Sequence, residues 1–375
     1  MRNRWNVLAF TILGLVFAGM ALYLVLHPTR TGVVPNYRMA ATNWWQGWKI
    51  YAGSGTHGFL YFPPFILLFT PINLVRPHVL GEILWRLFGF SLFAVSLWRL
   101  ACLIRQKHDS DQAFLILVFL AGPASLASIH NGQTNLPLSA CLILSALALR
   151  EERWWAAAIS LTLCIILKPI SLAPFLLTFA IFPQARRPML AGLTVFALLG
   201  IAHVNTGYAL ERWQKCLVKI FFAYHPENLR VSDLFGALQK FGVDVPDLIR
   251  SMVRAGASLG ALGFVALNHR RSRLEGAWAL WVASIMIFTI FNPRVETNSY
   301  VLASPLLAFV AAGHLLNAKG NKLAGWVLVI ACIALMCDGM GRTIYRATDV
   351  WLKPMIVLAV SPLLFRMPDS WRPAS

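Results

Sequence analysis

Acidic residues are scarce in this chain of 375 residues. Asp and Glu together number 15, against 33 Lys and Arg, and no carboxylate occurs anywhere in residues 1–81. Charged residues of both signs make up only 13% of the sequence, whereas soluble proteins average roughly 25%. Hydrophobic residues make up 58%. This composition excludes an ordinary soluble domain and indicates a protein embedded in a membrane.

Several patterns that mark other kinds of site are also missing. None of the six cysteines forms a CxxC pair, which argues against a zinc site or a disulfide framework. No glycine-rich phosphate loop follows a strand, which disfavours nucleotide-sugar binding. No Asp-x-Asp lies in a predicted outer loop, so we predict neither a metal nor another cofactor. Linkers and clear repeats are absent, so we predict one integral membrane domain over 1–375.

Long apolar runs recur from one end of the sequence to the other. They predict an all-α polytopic membrane protein with about 12 transmembrane helices. The apolar windows lie near 6–26, 79–103, 113–129, 134–149, 154–168, 170–183, 188–204, 249–268, 275–291, 299–316, 323–340 and 353–366.

The basic residues indicate how these helices are oriented. A net charge of +18 in a soluble chain suggests nucleic acid, but here no basic stripe is interleaved with aromatics, so we predict no nucleic-acid partner. The loops with Arg150, Arg186 and Arg270 are short and basic, which is typical of cytoplasmic loops. We therefore predict an inner-membrane protein with both termini cytoplasmic. The turns 130–135 and 292–298 then lie outside.

This orientation requires that residues 62–75 do not cross the membrane. The stretch contains Pro63-Pro64, and its apolar run stops at Pro71. This run is too short to cross about 30 Å of hydrocarbon. We predict a partly embedded helix inside a long first outer segment, about 27–78. A second outer segment, about 205–248, contains an amphipathic helix over 210–225, either a surface helix or a wall that binds membrane lipids.

Polar side chains at two helix ends are the best candidates for a binding site. Gln133 and Asn135 offer amide donors and acceptors that suit sugar hydroxyls, although they could simply cap the following helix. Lys168 interrupts an apolar run just before Pro169. An ionisable residue in such a place is a functional candidate and suits a phosphate, although a lysine at a helix end can also extend to the interface.

Four segments, taken in order, resemble glycosyltransferase family 87, membrane enzymes of the GT-C fold. The resemblance covers most of the chain to about residue 310. The segments are GFLYFPPFILLFTP (58–71), HNGQTNLPLSACLIL (130–144), ILKPISLAPFLL (166–177) followed by Arg186-Arg187, and NPRVETNSYVLASPLL (292–307).

The resemblance implies a function that the residues alone do not give. Enzymes of this family transfer a sugar from a polyprenyl-phosphate donor to a lipid or glycan acceptor at the extracytoplasmic face. With Gln133, Asn135 and Lys168, the arginines Arg38 and Arg294 would then bind donor or acceptor, since guanidinium pairs well with phosphate. Tyr61 and His57 would orient the acceptor or the leaving group, which makes His57 a candidate catalytic residue.

One expected residue is absent. In the resembled family, an aspartate early in the first outer loop takes the proton of the acceptor hydroxyl. Aligned on Tyr37 and the alanines Ala40-Ala41, that position is Val33 here. Another carboxylate could replace it, and Glu296 is the preferred candidate because Arg294 lies beside it.

Replacement by Glu296 is one of several explanations for the missing aspartate. Asp233 and Glu82 are further carboxylates on the outer side, although Glu82 and Arg86 are spaced to form an ion pair within one helix. The phosphate of the donor could accept the proton itself. Alternatively the chain is catalytically inactive and binds or transports a lipid-linked glycan.

Overall fold

The computed structural model describes residues 4–30, 32–51, 58–223 and 231–373. These residues are largely helical and contain no β-strand. The α-helices are α1 (Arg4–Leu26), α2 (Val34–Gln46), α3 (Pro63–Leu74), α4 (His78–His108), α5 (Ala113–Ala121), α6 (Leu126–Asn131), α7 (Asn135–Arg150), α8 (Trp154–Leu167), α9 (Leu172–Ile181), α10 (Arg186–Ile201), α11 (Thr206–Ala223), α12 (Leu234–Lys240), α13 (Asp247–Arg271), α14 (Arg273–Met286), α15 (Ser304–Leu316), α16 (Lys322–Ala334), α17 (Arg342–Thr348) and α18 (Leu352–Leu364).

Each of the twelve apolar windows coincides with a helix, so the all-helical prediction is confirmed for the described residues. Within that part of the chain, five helices are long and apolar enough to cross a membrane, and counting three bent pairs as single spans raises the number to eight. Shorter apolar helices such as α7, α8 and α16 make up the remainder. The predicted count of about twelve spans therefore stays a prediction.

The core of the bundle is formed by helices that are apolar on all sides. Nearly every residue of α14 and α15 is buried, as expected for helices without a polar face. In contrast, α1 and α13 bury only a few residues each and lie at the periphery. Trp278, Trp281 and Phe309 form an aromatic cluster that also receives Trp371 from the C-terminal segment.

The loops divide between two ends of the bundle. At one of them, the Arg150 end, the loops after α4, α7 and α13 meet the C-terminal segment. Arg99 pairs with Glu151 at 2.6 Å, and Arg150 Nε donates to the carbonyl of Trp371 at 2.8 Å. Arg273 contacts Glu152 at the same place. The short basic loops are thus held together by ion pairs.

The other end, the Gln133 end, carries the turns 130–135 and 292–298. The C-terminal end of α1 lies here, because the rings of Tyr23 and His130 are 5.3 Å apart. The N-terminal end of α18 lies here too, since Lys353 Nζ donates to the carbonyl of Thr297 at 2.9 Å. The basic segment 341–353 therefore belongs to this end, unlike the other basic loops.

Helix α3 does not cross the bundle, because both of its ends lie at the Gln133 end. Before it, Tyr61 contacts Thr134, and after it the carbonyl of His78 accepts from Arg38. Its proline corner begins the helix, with Pro63 at the first helical position, where the missing N–H is harmless. The helix passes Pro71 and ends at Leu74, within the predicted segment 62–75.

Candidate active site

Four predicted site residues form one hydrogen-bonded row at the Gln133 end. Lys168 Nζ donates to Asn135 Oδ1 at 2.8 Å, and Asn135 Nδ2 donates to Gln133 Oε1 at 2.9 Å. Gln133 Nε2 in turn donates to Glu296 Oε2 at 2.8 Å. Three separate segments of the chain thus bring a cation, two amides and a carboxylate into a single row.

The row has a fixed direction. An ammonium group can only donate hydrogen bonds and an ionised carboxylate can only accept them. With Lys168 at one end and Glu296 at the other, each amide must turn its oxygen toward the lysine and its nitrogen toward the carboxylate. The two charges therefore determine the orientation of both amides.

Local breaks in the helices place these side chains. Helix α8 ends at Leu167, Lys168 is extended, and Pro169 starts a new helical turn, so the ammonium is left at a helix junction. Helix α7 has Thr134 as its N-cap, and the threonine side chain makes no capping bond. The amides of Gln133 and Asn135 bind Glu296 and Lys168, so hydrogen bonding to charged groups accounts for them beyond any capping role.

Glu296 lies in the turn between α14 and α15. A π-helical turn, Ile287–Phe291, ends the preceding helix, and Glu296 is the N-cap of the 3₁₀-helix Thr297–Leu302. It forms a capping box with Ser299, yet the residue is exposed. A carboxylate has about four acceptor positions, so these contacts leave capacity for another donor. Tyr300, four residues after Glu296, is buried, and its hydroxyl donates to the carbonyls of Ser232 and Thr289.

Arg294 lies in the same turn and is partly buried. Burial lowers the pKa of its guanidinium, and the Glu296 carboxylate opposes that shift. Arg294 interacts electrostatically with Glu296 and Tyr61. Lys168 interacts in the same way with Arg294 and Glu296. Two cations, Lys168 and Arg294, therefore lie near the Glu296 carboxylate, an arrangement that suits an anionic group next to a proton acceptor.

Tyr61 reaches the row from the first outer segment. Its hydroxyl is 2.8 Å from that of Tyr37 and 3.4 Å from Thr134 Oγ1. Burial raises the pKa of Tyr61, so the phenol stays protonated and can act as a donor. The hydroxyl pair thus lies beside the row, next to the residue that separates Gln133 from Asn135.

Arg38 does not join the row from Lys168 to Glu296. Its guanidinium donates to Glu82 Oε1 at 3.0 Å and to the carbonyl of His78 at 3.2 Å. Glu82 also pairs with Arg86 at 2.6 Å, which confirms the predicted ion pair within α4. His57 lies outside the described residues, so its role stays a prediction.

Asp233, the third carboxylate considered as a replacement for the aspartate, has structural contacts. It is fully buried, caps α12 by accepting from the backbone of Gly236 at 2.7 Å, and pairs with Arg254 at 2.8 Å. Glu82 is similarly enclosed between two arginines. Glu296 is thus the exposed member of the three carboxylates considered as replacements. Within the described residues, no cluster of His, Cys, Asp or Glu suits a metal ion.

Sequence reasoning missed the position of Lys219. The helical pattern of 210–225 predicts it on the polar side of a surface helix, but α11 turns it inward, and it is only 8% exposed. Its ammonium lies 3.5 Å from the position that a Cβ on Gly58 would take, and it interacts electrostatically with Arg294. The spacing of the buried residues marks this inner face, which comprises Ala209, Arg212, Cys216 and Lys219. Apolar side chains such as that of Phe221 are exposed instead.

The sequence profile of glycosyltransferase family 87 matches residues 59–293, more than half of the chain. This chain belongs to glycosyltransferase family 87. The match includes the segments that carry Tyr61, Gln133, Asn135 and Lys168, and it stops just before Arg294 and Glu296. The family and the apolar helices together make the protein a membrane glycosyltransferase.

Among solved structures, the chain is similar to ArnT from Cupriavidus metallidurans bound to undecaprenyl phosphate. The two share 16% sequence identity, and the alignment covers 97% of this chain and 77% of ArnT with a TM-score of 0.49. No curated protein sequence matches the chain significantly.

Proposed function

We propose that this protein transfers a sugar from a polyprenyl-phosphate-linked donor to a lipid or glycan acceptor at the extracytoplasmic face. The observation that supports this most is the row from Lys168 to Glu296, which joins a cation to an exposed carboxylate at one end of the bundle. The short basic loops collect at the opposite end, which supports an inner-membrane protein with that end in the cytoplasm.

In this proposal Glu296 replaces the missing aspartate as the general base. The acceptor hydroxyl gives its proton to the Glu296 carboxylate while its oxygen bonds to the anomeric carbon of the sugar. The bond between that carbon and the phosphate oxygen breaks, and its electron pair leaves with the polyprenyl phosphate. Arg294 and Lys168 stabilise the negative charge that develops on the leaving phosphate.

The proposal is tested with purified protein and radiolabelled polyprenyl-phosphate-linked hexoses and pentoses, using a membrane lipid extract as the acceptor. Glu296→Gln keeps the side-chain shape but removes the base, so we expect kcat to fall by about 10²- to 10⁴-fold. Binding of polyprenyl phosphate should persist. The matched control is Glu211→Gln, an exposed carboxylate on α11, which should keep wild-type turnover.

The outcomes separate the proposed function from its alternatives. Undiminished turnover in Glu296→Gln would refute the assignment of the base and leave proton transfer to the donor phosphate. Donor binding without any turnover in the wild type would favour a catalytically inactive protein that binds or transports a lipid-linked glycan.

A further inference from the structure

The turn that precedes Gln133 is held by an arginine from another helix. Arg86 of α4 donates through Nε to the carbonyl of Ile129 and through Nη2 to the carbonyl of His130, both at 2.9 Å. These carbonyls belong to the last turn of α6, where a helix leaves acceptors over, and that of Ile129 also accepts from the backbone N–H of Gly132 at 3.1 Å. A cation at a helix C-terminus also interacts favourably with the helix dipole.

The next two carbonyls of the same turn are bound as well. The backbone N–H of Val33 donates to the carbonyl of Asn131 at 3.0 Å, and Trp85 Nε1 donates to the carbonyl of Gly132 at 2.9 Å. Four consecutive carbonyls, from residue 129 to residue 132, therefore accept hydrogen bonds from α4 or from the start of α2. The turn is fixed along its whole length up to Gln133.

Arg86 is itself fixed. Its Nη1 donates to Glu82 Oε2 at 2.6 Å and to the backbone carbonyl of Glu82 at 3.1 Å, while Arg38 binds the other carboxylate oxygen at 3.0 Å. The Glu82 and Arg86 side chains are each 1% exposed. A planar guanidinium with a buried partner on one side can hold two carbonyls in one geometry, whereas the flexible ammonium of lysine cannot.

The packing at Gly132 shows how closely the turn follows Arg86. Gly132 has a φ of +63°, and a Cβ placed on it would lie 3.0 Å from Arg86 Cζ and 2.4 Å from Val34 Cγ2. Glycine therefore allows the chain to approach the guanidinium and to turn sharply. Gln133, whose amide contacts Glu296, follows directly.

We propose that Arg86, oriented by Glu82, is a positioning residue that holds the 129–132 turn and thereby aligns the Gln133 amide with the Glu296 carboxylate. It acts through Gln133 and does not itself contact the substrates. The inference deepens the proposed function and rests on it for the catalytic role of Glu296. The structural part, control of the turn by Arg86, is independent of turnover.

The test variant is Arg86→Lys. It keeps the positive charge but replaces the planar guanidinium, which binds two carbonyls, by an ammonium group. We expect kcat to fall by roughly 10- to 100-fold, with little change in the KM for the polyprenyl-phosphate donor, because a small displacement of a positioned group has effects of this size. The matched control is Arg99→Lys, which weakens an ion pair with Glu151 at the Arg150 end of the same helix. That variant should keep wild-type kcat.

A double-mutant cycle shows whether Arg86 acts through Gln133. In a Gln133→Ala background, Arg86→Lys should lower kcat by less than about twofold, since residues that share one interaction are not additive. A full, additive loss in that background would overturn the inference, because general destabilisation would then explain the effect.

Hydrogen–deuterium exchange gives a readout that needs no turnover. Arg86→Lys should raise exchange severalfold in peptides covering 128–136 and leave peptides covering 145–155 unchanged. Unaltered exchange over 128–136 would overturn the inference, whereas an inactive wild type would overturn only the proposed function. If Arg86→Lys does not fold, Glu82→Gln removes the buried partner that orients Arg86 and should raise exchange over 128–136 more than over 145–155, and unchanged exchange over 128–136 would overturn the inference.

Discussion

Two polar networks lie close together at the Gln133 end, and each contains one glutamate. Glu82 is enclosed between Arg38 and Arg86 and is almost completely shielded. Glu296 accepts from the neutral amide of Gln133 and remains exposed. The first network has its strong acceptors filled by permanent cations, and the second keeps a carboxylate available. The two carboxylates lie at the same end of the bundle, so their partners decide that one is enclosed and the other is accessible.

The largest contrast is expected when each glutamate is changed to glutamine. Glu82→Gln leaves two arginines without their buried partner, which should lower the free energy of unfolding by about 3–5 kcal/mol. The measurement is thermal or denaturant unfolding of the purified protein in detergent. Glu296→Gln keeps a side-chain oxygen for the capping bond, so it should lower stability by no more than about 1 kcal/mol. Equal losses of stability in the two variants would remove the distinction between the networks.

The second test concerns Lys168, the residue at the cationic end of the row that contains Glu296. Lys168→Ala should raise the KM for the polyprenyl-phosphate donor by about 10- to 100-fold, because a hydrogen bond to a charged group contributes roughly 1.5–3 kcal/mol. Steady-state kinetics with a varied donor concentration measures this. Lys215→Ala, an exposed lysine on α11, is the control and should leave KM unchanged. An unchanged KM in Lys168→Ala would show that the row does not face the donor phosphate.

The smallest effect is expected where the two networks meet, at Gly132. Gly132→Ala forces a side chain into the left-handed region and against Val34, so the unfolding free energy should fall by at least about 1–2 kcal/mol. Gly256→Ala in α13, where a Cβ has open space, should be neutral or slightly stabilising because alanine favours helices. Equal stability of both variants would contradict the tight approach of the turn to Arg86.

Much of the fold could be predicted because apolar runs and prolines act locally. The windows around α4, α14 and α15 identify helices without knowledge of their neighbours. The packing of α3 shows the limit of this reasoning. The contacts at its ends, such as that of Tyr61 with Thr134, join residues distant in the chain.

The candidate site was predictable to a similar extent. Gln133, Asn135 and Lys168 are polar residues next to apolar runs, so their position at helix ends could be inferred and the structure confirms it. Their catalytic or binding roles stay predictions. The partner of Arg38 could not be inferred, because Glu82 lies 44 positions away. For α11 the helical spacing was visible, but the spacing alone does not say whether the charged or the apolar side faces the protein.

The fixed direction of the row has a consequence for successive rounds of transfer. In the proposed reaction Glu296 takes up a proton, after which its carboxyl can donate one hydrogen bond and still accept from Gln133. The Lys168 ammonium still needs the oxygen of Asn135, and the Asn135 nitrogen still needs the oxygen of Gln133, so the lysine alone keeps both amides in place. The row would thus keep its direction from one round to the next.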